Sequence, residues 1–286
     1  MGEGRLSVQE VVAEGGRPAE WVMMLHGIYG AGRNWGAVAR GVTRARPDRG
    51  VLLVDLRQHG ESTGFAAPHT VEAAAADLGS VEVPGRLGSI LGHSFGGKVA
   101  LAHARDREEV RQVWVVDSTP AAREPEGGAW NMLAILRRVP GRYAEREEAV
   151  AALVAEGVER PIALWMTTNL DWTGTEYRWK LDFEDMEALL RSFFALDLWP
   201  VVDEPPERLE VQRQDPGHAL DHGTPGRFGP GPVHRHGAGH GVVDLRLVDD
   251  DGDPDLGGGD HPDVDAGGRQ RREELRGHTR VGTHAR

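Results

Sequence analysis

The sequence predicts an α/β fold: a mainly parallel sheet with helices on both faces. Three observations point there. Short, continuous apolar runs recur along the first half of the chain, as expected for strands buried on both faces. Helical stretches alternate with them, the rhythm of a parallel sheet. One run, Leu91 to Lys98 (LGHSFGGK), places Gly92-His93-Ser94-Phe95-Gly96 between a strand and a helix. That Gly-X-Ser-X-Gly spacing in that context marks a sharp turn presenting a serine above a sheet.

Taken in order, Arg5 to Ala13 alternates like an edge strand, and Trp21 to Leu25 (WVMML) and Val51 to Asp55 (VLLVD) are buried strands. Thr70 to Leu78 reads as a helix with Thr70 at its N-cap. Arg86 to Leu91 is the strand entering the serine turn, and Phe95 to Arg105 the helix leaving it, with Val99, Ala100 and Ala102 facing inward. Gln112 to Val116 (QVWVV) is a further strand. The glycines of the turn have a physical reason: side chains at Gly92 and Gly96 would collide with the turn or the following helix. The same run nearly spells a phosphate-binding loop, with Gly92, then Gly97 and Lys98. That motif needs Ser or Thr next to hold magnesium, and Val99 stands there.

Composition narrows the function classes. Over 286 residues the net charge is −12 and no basic stripe occurs, which argues against a nucleic-acid partner. There are no cysteines, so disulfides and thiol chemistry are excluded. The N-terminus lacks a basic-then-apolar signal pattern, and no apolar run approaches the roughly 18 residues of a membrane span. The expectation is a soluble, cytoplasmic protein without a membrane partner. Lys98 and Lys180 are the only lysines among 33 basic residues; with abundant Gly and Ala, this is the mark of a GC-rich gene.

Three regions are expected. Residues 1–119 form the core, and 120–200 a helical cap whose clearest helix is Asp182 to Leu196, capped by Asp182. Five tryptophans fall there (Trp130, Trp165, Trp172, Trp179, Trp199), read either as packing the cap onto the sheet or as lining an acyl pocket. From about residue 204 the character collapses. Only 18 of the final 84 residues are apolar, Phe228 is the sole aromatic, and eight of the 13 histidines lie there. Residues 201–286 cannot bury enough apolar surface to offset their ordering entropy. They read as a disordered tail or as a shifted reading frame, the second favoured because the sheet still lacks strands where the change begins.

Leu25-His26-Gly27-Ile28-Tyr29-Gly30 follows the WVMML strand, where a second oxyanion-hole amide is expected. The N–H of Ile28, or of Tyr29, together with that of Phe95, would hold a developing oxyanion. Asp55, Arg57 and His59, in DLRQHGES, are expected to brace loops near the site. These segments, followed by VVDSTP, resemble the α/β-hydrolase family, and most of all its small bacterial esterases and thioesterases, which carry a helical cap after the sixth strand. The resemblance spans about residues 5 to 200. It implies an α/β-hydrolase fold and a Ser-His-Asp triad that cleaves carboxylic esters or thioesters through an acyl-enzyme, with no metal or cofactor and a small-molecule substrate. By that resemblance Ser94 is the nucleophile.

For the acid, Asp117 ends the QVWVV strand; Asp215 and Asp221 are the later alternatives. For the base, Gly239-His240 matches the family's late Gly-His pair. His93 is expected to pack rather than react. Asp249 to Asp255 resembles a calcium loop but lacks its glycine, and His234, His236 and His240 as metal ligands are outweighed by the histidine-rich composition. A second class stays open: an impaired or catalytically dead relative, or a truncated product, that binds rather than hydrolyses.

Overall fold

The computed structural model describes residues 4–207 and 209–214. Six strands form one sheet in the order β1-β3-β2-β4-β5-β9: β1 (Val8–Val11), β2 (Glu20–Leu25), β3 (Arg49–Val54), β4 (Arg86–His93), β5 (Gln112–Val116) and β9 (Glu210–Gln214). Only β1 runs antiparallel to its neighbour; the other pairs are parallel. The mainly parallel α/β sheet, with an edge strand at the N-terminus, is the one the sequence predicts.

Alternation along the strands divides the core in two, because successive side chains point to opposite faces. Met23, Leu25, Leu52, Val54, Ile90, Val113 and Val115 belong to the larger apolar cluster. Met24, Val51, Leu53 and Leu91 belong to the smaller one on the other face, with Ala39, Val38 and Val42 of α1 (Gly36–Ala45). Helices α2 (Val71–Asp77) and α3 (Phe95–Arg105) cover the larger face. The hydroxyl of Thr70 accepts from the Ala73 N–H at 3.1 Å, as expected of the N-cap. Every residue of α3 from Phe95 to Ala104 is buried, which is why the helix is so rich in Gly and Ala.

After β5 the chain makes a segment of helices and a small sheet: α4 (Gly128–Leu136), β6 (Arg142–Tyr143), α5 (Arg146–Ala155), α6 (Arg160–Met166), β7 (Leu170–Trp172), β8 (Tyr177–Trp179), α7 (Phe183–Ala195) and α8 (Trp199–Asp203). The small sheet, ordered β6-β8-β7, has strands of two or three residues, too short for a legible sequence alternation. Asp182 caps α7 by accepting from the N–H groups of Glu184 and Asp185, and Met186, Leu189, Leu190, Phe193 and Phe194 line its buried face. These residues join the larger core cluster, so the segment and the sheet share one apolar interior. Three of the five tryptophans have aromatic partners within the segment: Trp130 meets Phe194, Trp179 meets Tyr143, and Trp172 lies against Tyr177 while half exposed. Trp130 and Trp179 also pack against the larger core cluster that the sheet shares.

Strand β9 pairs with β5 over Glu210–Gln214, beyond the change in composition near residue 204. The sheet therefore continues one strand further than hydrophobicity alone indicates. Val211 is the one apolar residue of β9, with buried Leu209 just before it, and that is too little for a strand to be read from hydrophobicity. Among the described residues no helix is long and apolar enough to cross a membrane.

Candidate active site

Ser94 lies at the junction of β4 and α3 with φ 49° and ψ −115°, a backbone state that residues bearing a side chain rarely adopt. The turn is packed too tightly for larger neighbours. A Cβ on Gly92 would lie 2.1 Å from the Gly96 carbonyl oxygen, and one on Gly96 would lie 2.6 Å from the His26 carbonyl oxygen. The sequence argument is met for Gly92, which abuts the first turn of α3; Gly96 is also closed to a side chain, but by the end of β2 rather than by the turn or the helix. Non-glycine residues with positive φ number four among the described residues, and each follows the carboxyl end of a different parallel strand: Tyr29 after β2, Gln58 after β3, Ser94 after β4 and Asp117 after β5. Strain of this kind costs on the order of 1–3 kcal/mol per residue and gathers at functional sites. The carboxyl edge of a parallel sheet is also where ligands of such folds bind.

Ser94 and Asp117 stand side by side. His93 and Val116 are register partners in the β4–β5 ladder, and the Ser94 N–H donates to the Val116 carbonyl at 2.9 Å. The Asp117 carboxylate is exposed, with Oδ2 3.7 Å from Nε2 of half-buried His93. Burial lowers the His93 pKa and the Asp117 charge partly offsets it. His93 also lies edge-on to Trp35, so it packs at the site's margin.

Phe95 is the first residue of α3, so its N–H has no carbonyl within the helix to bond. On the opposite side, the loop after β2 comes close: a Cβ on Gly27 would sit 3.3 Å from the Ser94 Cβ. Gly27 to Gly30 is a turn closed by the Gly30 N–H on the Gly27 carbonyl at 3.0 Å. The same carbonyl accepts from His26 Nδ1 at 2.7 Å, while His26 Nε2 accepts from the Leu56 N–H at 2.9 Å. Because an amide can only donate, Leu56 fixes the proton on Nδ1. A planar trans peptide sets the Ile28 N–H opposite to the Gly27 carbonyl, so holding one aims the other.

The expected braces are in place. Asp55 accepts from the Gly32 N–H at 2.6 Å and from the Glu61 N–H at 2.9 Å. Arg57 makes a two-pronged pair with Asp77, at 2.6 and 2.9 Å, and donates to the Pro68 carbonyl. His59 donates from Nδ1 to the Arg57 carbonyl at 2.8 Å and lies 5.0 Å from the His26 ring. Burial drives the His26 pKa down to about 4 and that of His59 down to about 3.

The side-chain contacts of three residues escaped the sequence reading. Lys98 is buried, and its ammonium donates to the carbonyls of Ala121, Phe193 and Leu196 at 2.8, 2.6 and 2.6 Å, over the Phe193 ring. It ties α3 to the carboxyl end of α7, so the near-match to a phosphate loop has another explanation. Asn169 donates to the Tyr29 carbonyl at 2.8 Å, and the Tyr29 hydroxyl donates to the Ala129 carbonyl at 2.8 Å. Only the lysine carried a sequence signal, a charge among the small and apolar residues that open α3. His240, Asp215, Asp221, the 234–240 histidines and the 249–255 acidic run lie outside the described residues. Among the described residues no cluster of His, Cys, Asp or Glu has the makings of a metal site.

A strained serine between strand and helix, at the carboxyl edge of a parallel sheet, defines a class of fold. The family described as "Alpha/beta hydrolase family" matches residues 22–267, and the chain belongs to it. It is 30% identical over 222 residues to the sn-1-specific diacylglycerol lipase ABHD11 of Xenopus tropicalis, covering 72% of this chain and 63% of that protein. The mouse protein of the same name is 32% identical over 178 residues, covering 58% and 56%. The chain thus spans less than two thirds of these relatives. Among solved structures, a marine microorganism esterase aligns with TM-score 0.63 at 21% identity, over 75% of this chain and 92% of that one. An E-2-(acetamidomethylene)succinate hydrolase aligns with TM-score 0.56 at 18% identity, over 72% and 75%. These two likenesses are of fold.

Proposed function

We propose that the chain is a serine hydrolase of carboxylic ester bonds, thioesters included, working through an acyl-enzyme. The observation that carries this reading is Ser94 itself, strained between β4 and α3 with the Phe95 N–H behind it and the Gly27–Gly30 turn in front. Ser94 Oγ attacks the ester carbonyl, and the oxyanion that forms is held by the N–H groups of Phe95 and of Ile28 or Tyr29. Preorganised donors of this kind are worth about 3 kcal/mol each, because they need no reorientation as charge develops. His240 takes the serine proton and returns it to the leaving group, and Asp117 orients that imidazole. Water then releases the acyl group by the same steps in reverse order of partners. No metal or cofactor takes part.

The similarity to diacylglycerol lipases favours esters of fatty acyl chains within that class. Residues 120–200 act as the cap over the carboxyl edge, and residues 201–286 supply the base. The protein works in the cytoplasm on small-molecule esters, without nucleic acid or membrane as partner. The test is turnover of short p-nitrophenyl esters by monodisperse protein. Turnover that falls by at least about a thousandfold in Ser94→Ala supports the reading. Turnover that survives the substitution rejects it, as does a folded parent without activity, which would be an impaired relative.

A further inference from the structure

We propose that His93 is a positioning residue for the acid of the triad, holding one oxygen of the Asp117 carboxylate beside Ser94 so that the other is left for the base. The proposal rests on the reading of Ser94 as nucleophile and Asp117 as acid. The backbone around the pair is already fixed. His93 and Val116 are register partners, and the Ser94 N–H donates at 2.9 Å to the Val116 carbonyl, part of the peptide that joins Val116 to Asp117. Asp117 leaves that peptide with φ 46°, a state that residues bearing a side chain rarely adopt. What the ladder does not fix is the carboxylate. Its side chain is 62% exposed, and an aspartate in water exchanges rotamers freely. Among the described residues its one ion-pair partner is His93, with Nε2 3.7 Å from Oδ2.

The His93 ring is the rigid half of that pair. Residues two apart in a strand share a face, so His93 leaves β4 on the side of Leu91, where Trp35 also packs. The two rings meet edge-on with centroids 6.4 Å apart, and Trp35 is itself tied by Nε1 to the Leu25 carbonyl at 3.2 Å. Gly27 makes room for the ring, since a Cβ there would lie 2.8 Å from His93 Nδ1. Burial lowers the His93 pKa from its ordinary 6.5, partly offset by Asp117, so the imidazole is mainly neutral at neutral pH. A carboxylate only accepts, so the nitrogen facing it, Nε2, carries the proton. A fixed donor thus faces Oδ2 and biases the carboxylate, while Oδ1 remains to orient the base. At 3.7 Å the pair is longer than a closed hydrogen bond, so it guides the carboxylate rather than locking it.

The full-length protein carrying His93→Ala, Asp117→Ala or both tests this, with kcat and KM for a short p-nitrophenyl ester and labelling of Ser94 by a serine-directed phosphonate. Asp117→Ala is expected to lower kcat on the order of ten-thousandfold. His93→Ala is expected to lower it on the order of tenfold with little change in KM, the cost of a slightly misplaced catalytic group. His93→Phe, which keeps a ring against Trp35 but no donor, shows the same fall, and His93→Gln, which keeps a donor, recovers most of it. In the Asp117→Ala background, His93→Ala changes kcat by less than about twofold, because the group it positions is gone. An equal loss in both backgrounds makes His93 a packing residue and overturns the proposal, as does an unchanged kcat in His93→Ala or His93→Phe. Those results leave Asp117 as acid and Ser94 as nucleophile. Asp117→Ala at the parental kcat overturns the acid and the proposal together, and a parent that is not labelled at Ser94 overturns the nucleophile as well.

Discussion

His26 and His59 stand beside the Gly27–Gly30 turn as neutral imidazoles, held by backbone groups and pressed together 5.0 Å apart. Their folded pKa values, about 4 and about 3, lie below the ordinary 6.5 because burial penalises the cation. As pH falls from 6.5 towards 4, the unfolded chain takes up protons that the folded chain refuses. The stability these groups give is therefore full above 6.5 and is lost through that window. The loss should reach a few kcal/mol by pH 4, at up to about 1.4 kcal/mol per pH unit for each proton of difference. Denaturant unfolding of the parent and of His59→Gln across pH 4–7 checks this. The variant is expected to show a slope shallower by about one proton; identical slopes would contradict a neutral, buried His59. The Gly-X-Ser-X-Gly run was legible at this scale because its glycines answer to steric demands visible in the spacing. Asn169 was not, since nothing in the neighbouring sequence reports a contact made 140 residues away.

At the scale of elements, Lys98 shows how one side chain fastens two of them. The last carbonyls of a helix lack intrahelical partners, and a cation there meets both the free acceptors and the negative end of the dipole. Lys98 reaches Phe193 and Leu196 at the end of α7 from the first turn of α3. Burial lowers its pKa to about 8, with Arg123 adding to the effect. Replacing it by Met keeps the stem but leaves three carbonyls unserved. Lys98→Met should destabilise the fold by about 2–4 kcal/mol, since bonds from a charged donor are worth more than neutral ones and orphaned acceptors cost more than lost bonds. Thermal unfolding reads this; an unchanged Tm would mean that α7 is seated by its apolar face alone. The strands β2, β3, β4 and β5 and helices α2, α3 and α7 were legible because each buries a continuous run or a clear stripe, or carries a cap. Helix α1 was missed although Val38, Ala39 and Val42 mark its buried side: two glycines and a threonine dilute its helical character. Strand β9 was missed because Val211 is its single apolar residue among Glu, Gln and Arg.

At the scale of the molecule, the sheet gathers its strained backbone at one edge, and the helical segment is tied to that edge from several sides. Lys98 holds α7, Asp185 meets His69 and Gln58, Ser192 accepts from the Val71 N–H, and Asn169 holds the Gly27–Gly30 turn at the Tyr29 carbonyl. The fold and the strained serine turn were readable because they depend on local spacing. The base was not, since Gly-His is a weak signal in a stretch with eight histidines, and His240 lies outside the described residues. Everything in the proposed mechanism hangs on the attacking atom. The most direct measurement is to label the full-length protein with a serine-directed phosphonate and locate the adduct by peptide mass spectrometry. The account predicts one adduct per chain, on Ser94, absent from Ser94→Ala. An adduct on another residue, or one that persists in Ser94→Ala, would contradict it.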